Sequence, residues 1–191
     1  MIDEIDIKII SDLQKDGRIP FTKISDKIDR STVTVWKRVE NLVKDETIKI
    51  QANINLSKFY PLVALLDTEA KDFTVIRDTI EHFKDCPRTL LMFQSAGVHI
   101  VSIIAAENMS TLESILGACS FRISDGIRRS DVKIGNIQNP SLFMPLRVSD
   151  HEGKEVSPCG CNCSECDKYK KECLGCPASK HYLFELIEKS K

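Results

Sequence analysis

Residues 31–42 read STVTVWKRVENL, and this stretch decides the fold of the first part of the chain. Ser31 is a favourable N-cap because its hydroxyl can accept a hydrogen bond from an amide that a helix start leaves unpaired. Val35, Val39 and Leu42 follow at helical spacing and form a stripe that we predict to be buried. Taken alone, this pattern is more typical of an ordinary amphipathic surface helix. The opposite face nevertheless carries the kinds of group that suit a DNA major groove, namely Val33, Thr34, Lys37 and Asn41.

The segments before Ser31 favour the DNA-binding interpretation. Asp3 or Asp6 can cap a first helix, which Gly17 is placed to end. A second short helix is predicted over 21–28, where apolar residues recur at helical spacing. Three helices joined by such brief turns predict a helix-turn-helix domain, winged-helix-like, over residues 1–47.

Composition limits how such a domain could bind DNA. The chain has 191 residues and a formal charge of -1, and residues 1–55 hold ten Lys and Arg against ten Asp and Glu. DNA binding would therefore depend on local patches and on the pairing of subunits. We find neither a run of eighteen apolar residues nor a signal peptide, so we expect a cytoplasmic protein with no membrane partner.

The middle of the chain predicts a second domain of α+β class. Residues 48–56 alternate apolar and polar side chains and predict a linking strand, followed by a hinge that ends at 61, with the boundary near Lys58. Residues 62–147 then predict a ferredoxin-like βαββαβ domain. Two of its strands are apolar at nearly every position, so a second subunit is the expected cover for the open sheet face. The predicted elements are strand 62–68, helix 74–83, strands 89–94 and 99–106, helix 110–118 and strand 127–137.

Residues 2–147 resemble the Lrp/AsnC (feast/famine) transcription regulators. The resemblance depends on IDEIDIKIISDLQKDGR at the start, on S-x3-V-x2-RV-x2-L from Ser31 to Leu42, and on glycine turns near Gly97 and Gly126. It implies a protein that binds double-stranded DNA through its first domain as a dimer or a higher assembly up to an octamer. It also implies a second domain that makes the oligomer and often binds a small-molecule effector.

The resemblance assigns roles to the helix that begins at Ser31. It makes this helix the recognition helix, with Thr32, Val33, Thr34, Lys37 and Arg38 toward DNA. Arg38 lies near the edge of the buried stripe, so a phosphate contact or an internal salt bridge is expected in preference to base reading.

Two positions depart from the family pattern. Glu46 replaces the glycine that usually ends the recognition helix. The effector turn reads AGVHI: it keeps Gly97, but both acidic positions are apolar, which argues against binding an amino-acid ammonium there. Gly97 and His99 are the residues left to contact an effector, and His99 is more simply explained as a strand residue.

A polar linker, 148–158, leads to a cysteine-rich segment, 159–191. Two C-x2-C hooks predict a metal module with zinc as the favoured ion, because paired thiolate hooks supply its four ligands. Cys159 and Cys161 add further thiolates, and this spacing could also hold an iron–sulfur cluster. A short helix is predicted over 178–189, and Cys86 and Cys119 are expected to be buried small hydrophobes. The hook residues are Cys163, Cys166, Cys173 and Cys176.

Weighed together, these patterns predict a non-enzymatic DNA-binding regulator with a metal-binding tail that is structural or senses metal or redox state. The alternative is an iron–sulfur redox protein or enzyme that uses the cysteine cluster. Against an enzyme, the sequence lacks a phosphate-cradling glycine loop, a nucleophile elbow and an H-E-x2-H motif.

Overall fold

The computed structural model describes residues 2–139, 141–146 and 154–183. The chain divides into two compact units, Met1–Ala52 and Asn53–Lys191. The boundary therefore lies earlier than the sequence prediction near Lys58. Within the described ranges, no helix is long and apolar enough to cross a membrane.

The first unit, here the helical unit, contains three helices around one small core. Asp3 caps the first helix by accepting hydrogen bonds from the amides of Ile5 and Asp6, and the Asp6 side chain accepts one from the Asp3 amide in return. The core side chains Ile9, Ile24 and Val35 each have no exposed surface. The helices are α1 (Glu4–Lys15), α2 (Phe21–Ile28) and α3 (Thr32–Lys44).

The linking strand predicted over 48–56 is wrong for most of its length. Only β1 (Ile54–Asn55) is a strand, and it pairs with β6 (Phe143–Met144). Residues 48–53 have no regular structure, and the expected hinge contains a short helix, α4 (Leu56–Phe59). An alternating pattern forms a strand only where another strand accepts its hydrogen bonds, and residues 48–53 pair with none in the described chain. Residues 2–52 also lack the β-hairpin wing of a winged-helix domain, because they contain no strand.

The second unit contains the predicted ferredoxin-like domain, called here the sheet domain (residues 53–146). Its four antiparallel strands lie in the order β3-β4-β2-β5. Strands β3 and β4 have the predicted bounds, whereas β2 runs two residues further than expected. The elements are β2 (Leu62–Ala70), α5 (Phe73–Phe83), β3 (Thr89–Gln94), β4 (His99–Ala106), α6 (Met109–Ser114) and β5 (Ile127–Asn136).

The helix predicted over 110–118 changes type before it ends. Helix α6 stops at Ser114, and Ile115–Cys119 form a wider π turn in which the Ser120 amide donates to the Ile115 carbonyl at 2.8 Å. π turns insert one extra residue and often occur at functional sites. This turn leaves Cys119 at the end of the helical segment.

One face of the sheet is covered by the helices, and the other is partly open. Side chains of alternate positions, such as Leu66 and Ile100, are fully buried beneath α5 and α6. On the other face, the β1/β6 pair packs with α4 and Tyr60 around Ala105. A contiguous group of apolar side chains beyond this cover, the open face, consists of Leu65, Leu91, Phe93, Val101 and Ile103.

The described part of the cysteine tail, residues 154–183, is built from turns. It contains one short 3-10 turn, Cys163–Glu165, and two isolated bridges. The helix predicted over 178–189 is absent from 178–183, where the chain forms turns, and the rest of that range lies outside the described residues.

Candidate nucleic-acid interface and cysteine cluster

Helix α3 begins where the sequence predicts and exposes the predicted face. The Thr34 amide donates to Ser31 Oγ at 3.1 Å, which makes Ser31 the N-cap. Val35, Val39 and Leu42 are buried, as predicted, whereas Lys37 and Asn41 are exposed and Val33 has 62% of its surface exposed. The face opposite the core is therefore free of contacts from the helical unit that would cover it.

Two hydroxyl groups on this helix have internal partners. Thr34 Oγ1 lies 2.8 Å from Ser31 Oγ, and Thr32 Oγ1 lies 3.1 Å from Ser25 Oγ of α2. Thr34 is partly buried and Thr32 is exposed. The Thr32–Ser25 hydrogen bond joins the first turn of α3 to α2.

Arg38 forms the internal salt bridge that was one of its two expected roles. Its Nη1 donates to Asp3 Oδ2 at 2.7 Å and to Asp6 Oδ1 at 2.8 Å. Hydrogen bonding with Asp6 and Asp3 raises the pKa of Arg38 above its ordinary value. The ion pair thus ties the start of α1 to the middle of α3.

The turn after α3 is made without the usual glycine. Glu46 adopts a left-handed conformation with φ 54°, and the Thr47 amide donates to the Leu42 carbonyl at 2.9 Å. The Glu46 amide donates to the Val43 carbonyl at 3.1 Å, which completes a Schellman motif. A glutamate therefore holds a backbone conformation that disfavours side chains with a Cβ.

Comparison with known proteins decides the family. Residues 2–43 match the model of the AsnC-type helix-turn-helix domain. A transcriptional regulator of the helix-turn-helix type from Pyrococcus abyssi is 31% identical over 136 residues, which cover 70% of this chain and 85% of the relative. The chain belongs to the Lrp/AsnC family of transcription regulators.

Other comparisons agree with this assignment. The regulator LrpA of Pyrococcus horikoshii is 32% identical over 121 residues, 61% of this chain and 84% of LrpA. The structure of Escherichia coli AsnC has the same fold, with a TM-score of 0.61 and 19% identity over 74% of this chain and 96% of AsnC. A Neisseria meningitidis regulator solved in complex with L-Met has a TM-score of 0.60 and 17% identity, over 74% of this chain and 96% of that protein.

The effector turn of this Lrp/AsnC protein keeps its glycine geometry. Gly97 has φ 66°, and no neighbouring atom lies within 4 Å of the position that a Cβ would occupy. His99 opens β4, where its Nδ1 lies 2.9 Å from Asp67 Oδ1 on the adjacent strand. His99 is thus a strand residue with an acidic partner on β2.

The cysteines of this family member gather around one cavity. A cavity of about 50 Å³ is lined by seven of the eight cysteines, together with Arg88, Ile115, Ser157 and Gly175. Cys166, which the spacing pairs with Cys163, does not line it. All eight cysteines are free thiols. The lining cysteines are Cys86, Cys119, Cys159, Cys161, Cys163, Cys173 and Cys176.

Backbone donors and burial set the chemistry of these thiols. The Cys176 amide donates to Cys163 Sγ at 3.3 Å, and the Ala178 amide donates to Cys176 Sγ at 3.5 Å. A hydrogen bond with Cys119 raises the pKa of Cys161 to about 11, and burial raises the pKa of Cys176 to about 11. These two thiols are protonated near pH 7, so a metal that bound them would displace their protons. Within residues 2–139, 141–146 and 154–183, no three potential ligands converge as the side chains stand.

A buried cation that the sequence did not reveal holds the tail against the sheet domain. Arg88 is only 4% exposed, and its Nη2 donates to the Gly175 carbonyl at 2.8 Å. Its Nη1 donates to Glu107 Oε2 at 2.6 Å, while the Tyr182 hydroxyl donates to Glu107 Oε1 at 2.5 Å. Burial lowers the pKa of Arg88, but the charge and hydrogen bond of Glu107 outweigh it and raise this pKa above its ordinary value.

Proposed function

We propose that this protein is a sequence-specific transcription regulator that reads DNA with the exposed face of α3. The observation that supports this proposal most directly is the exposure of Lys37, Asn41 and Val33 on a capped helix whose opposite side is buried. Such a face can enter a major groove, where hydrogen-bonding and apolar side chains distinguish base pairs. Because Arg38 is paired with Asp3 and Asp6, we expect the neighbouring exposed side chains of α3 to read the bases.

The test compares operator binding by the full-length parent and a Lys37→Ala/Thr34→Ala variant. We expect the double variant to lose about 1–3 kcal/mol of specific binding, and the slope of log affinity against log salt to fall by about one. Lys71→Ala, which removes an exposed lysine from the other unit, is the control and should bind as the parent does. Circular dichroism checks that α3 remains folded. Unchanged operator affinity in the double variant would refute the proposed reading face.

We also propose that the protein dimerises through the open face of the sheet domain, as a basis for any larger assembly up to an octamer. Directly paired strand positions place Leu65, Ile103 and Leu91 in one row, with Val101 and Phe93 in the next. Leu91 and Phe93 are 48% and 44% exposed. A contiguous apolar surface of this kind is typical of a subunit interface.

Solution mass measurements test the proposed interface. Phe93→Asp would bury a charge in the dimer and should shift the protein to monomer at micromolar concentration. Phe73→Asp, at an exposed aromatic on α5, is the matched control and should leave the oligomer intact. A dimer that persists in Phe93→Asp would show that another surface joins the subunits.

We propose that the cysteine tail binds a metal, with zinc favoured over an iron–sulfur cluster, and that it is structural or senses metal or redox state. The support is a cavity walled by thiols, the donors that thiophilic metals prefer. DNA affinity measured with and without chelator separates the two roles, because only a sensor would change it. An effector contact at Gly97 and His99 stays a prediction.

A further inference from the structure

The cysteine tail has few buried apolar side chains of its own. Its described residues, 154–183, form one 3-10 turn and two isolated bridges, and their fully buried side chains are few. A segment this short usually requires disulfides or a structural metal, because its apolar core is too small. Since its cysteines are free thiols, a thiolate-bound metal is the available cross-link.

Two of the thiols at the cavity come from outside the tail. Cys86 lies in the connection between α5 and β3, and Cys119 ends the π turn after α6. Both line the same cavity as the tail cysteines Cys161 and Cys176. The sheet domain and the tail therefore both contribute thiols to one cavity.

We propose that Cys86 and Cys119 are metal ligands, so that one thiolate-bound metal centre draws its ligands from both the sheet domain and the tail. This inference extends the proposed metal binding of the tail, on which it rests, and it changes the ligand set. Cys166 is excluded from the set because it does not line the cavity. The metal would join the sheet domain to the cysteine tail, and its ligands would not come from the tail alone.

The cavity is large enough for this role. Its volume of about 50 Å³ exceeds the ~10–15 Å³ that a single water requires. The thiols do not converge as they stand, but a cysteine side chain has a single heavy-atom torsion with three staggered positions. Rotation about this torsion moves a sulfur toward the cavity without moving the backbone.

Some groups around the cavity would stabilise thiolates and so offset part of the cost of burying them. The amides of Cys176 and Ala178 already donate to sulfur atoms, and hydrogen bonds of this type stabilise thiolates. The buried guanidinium of Arg88 lines the same cavity and offsets part of the negative charge that several thiolates would bring. The same Arg88 holds the Gly175 carbonyl, one residue before Cys176.

The test compares metal content in three full-length proteins: the parent, Cys86→Ser/Cys119→Ser, and the matched control Cys166→Ser. Each is purified without oxygen, and zinc and iron are measured per chain beside the visible absorbance. We expect one metal centre per chain in the parent and in Cys166→Ser. In the double variant we expect affinity for added Zn²⁺ to fall at least about 100-fold, because loss of an outer-sphere partner alone costs about 10–100-fold.

A second measurement avoids dependence on the folding of the double variant. Alkylation of the parent with iodoacetamide, read by mass spectrometry, should be slow at Cys86 and Cys119 and should accelerate when a chelator removes the metal. Colourless protein with zinc, or brown protein with iron, would each support metal binding and identify the metal, while the alkylation result decides whether Cys86 and Cys119 are ligands.

The outcomes separate this inference from the proposed function. A parent without metal would overturn both this inference and the metal-binding proposal, but not the DNA-binding one. Parental metal affinity in the double variant, or alkylation of Cys86 and Cys119 that a chelator does not change, would overturn only the bridging ligands. Loss of metal in Cys166→Ser with retention in the double variant would restore the paired C-x2-C hooks as the site.

Discussion

Replacement of Arg88 by methionine should destabilise the second unit and release the cysteine tail. Methionine fills a similar volume but removes the ion pair with Glu107 and the hydrogen bond to the Gly175 carbonyl. It also removes the stacking of the guanidinium near the rings of Tyr60 and Tyr182, each 5.8 Å from the Arg88 Cζ. The change leaves the Glu107 carboxylate, whose side chain is only 12% exposed, without a cation.

The magnitude follows from the burial of both charges. Loss of one partner from a buried ion pair costs about 3–5 kcal/mol, because the remaining charge stays desolvated and unpaired. For a unit of this size that corresponds to a fall in melting temperature on the order of 10 °C. A second substitution, Glu107→Gln, keeps an acceptor for Tyr182 but removes the stranded charge. The double variant should therefore recover at least about 1–2 kcal/mol relative to Arg88→Met alone.

The chain provides separate reporters for its two units. Its only tryptophan, Trp36, lies on α3 of the helical unit, whereas Tyr60, Tyr169 and Tyr182 all lie in the second unit. Thermal unfolding followed by tryptophan fluorescence should be unchanged in Arg88→Met, while the near-ultraviolet signal of the tyrosines should be lost at lower temperature. Limited proteolysis should then cleave the tail first.

Two results would refute the reasoning. An unchanged tyrosine transition in Arg88→Met would show that the buried pair contributes no net stability. Equal destabilisation of Arg88→Met and of the double variant would show that the cost does not come from the stranded Glu107 carboxylate.

Two further substitutions test backbone conformation. Glu46→Gly should stabilise the helical unit by about 0.5–1 kcal/mol, because relief of the left-handed strain exceeds the entropy cost of glycine, and a lower tryptophan-detected melting temperature would contradict this. Gly175→Ala should cost more than about 2 kcal/mol and loosen the tail, since its Cβ would lie 2.4 Å from the His181 carbonyl oxygen at a φ of 86°. Gly160→Ala, at φ 78° with no atom within 4 Å, is the control and should cost only about 1 kcal/mol. Equal effects at Gly175 and Gly160 would rule out the clash.

The elements that sequence predicted well are those whose signals are local. Ser31 caps α3 because a hydroxyl before an apolar stripe needs no distant partner, and 21–28 has the predicted bounds for a similar reason. Strand 89–94 has the predicted bounds because its partner, β4, follows it directly along the chain. The strand over 48–56 was overpredicted because alternating apolar and polar residues indicate only a tendency to form a strand, and a strand also requires a partner strand. The register that supplies this partner, Ile54 with Met144, joins residues ninety positions apart.

The cysteine cluster shows the same limit. Spacing predicts metal ligands in the tail, but it cannot reveal that Cys86 and Cys119 line the same cavity, because only folding brings these segments together. The prediction that both are buried small hydrophobes is wrong in that each side chain is only partly buried. Arg88 gave no signal, since a single arginine in a turn is ordinarily a solvated side chain.

The engagement of Arg38 by Asp3 and Asp6 has a consequence for how the proposed regulator would respond to its own abundance. One basic side chain of α3 is neutralised within the helical unit, so a single subunit presents only a faint attraction to a phosphate backbone. Two subunits joined in a dimer would engage two half-sites at a high effective concentration, and their contributions would multiply. Occupancy of the operator would then rise steeply over a narrow range of cellular protein levels, because association, and not the charge of one subunit, would set the threshold.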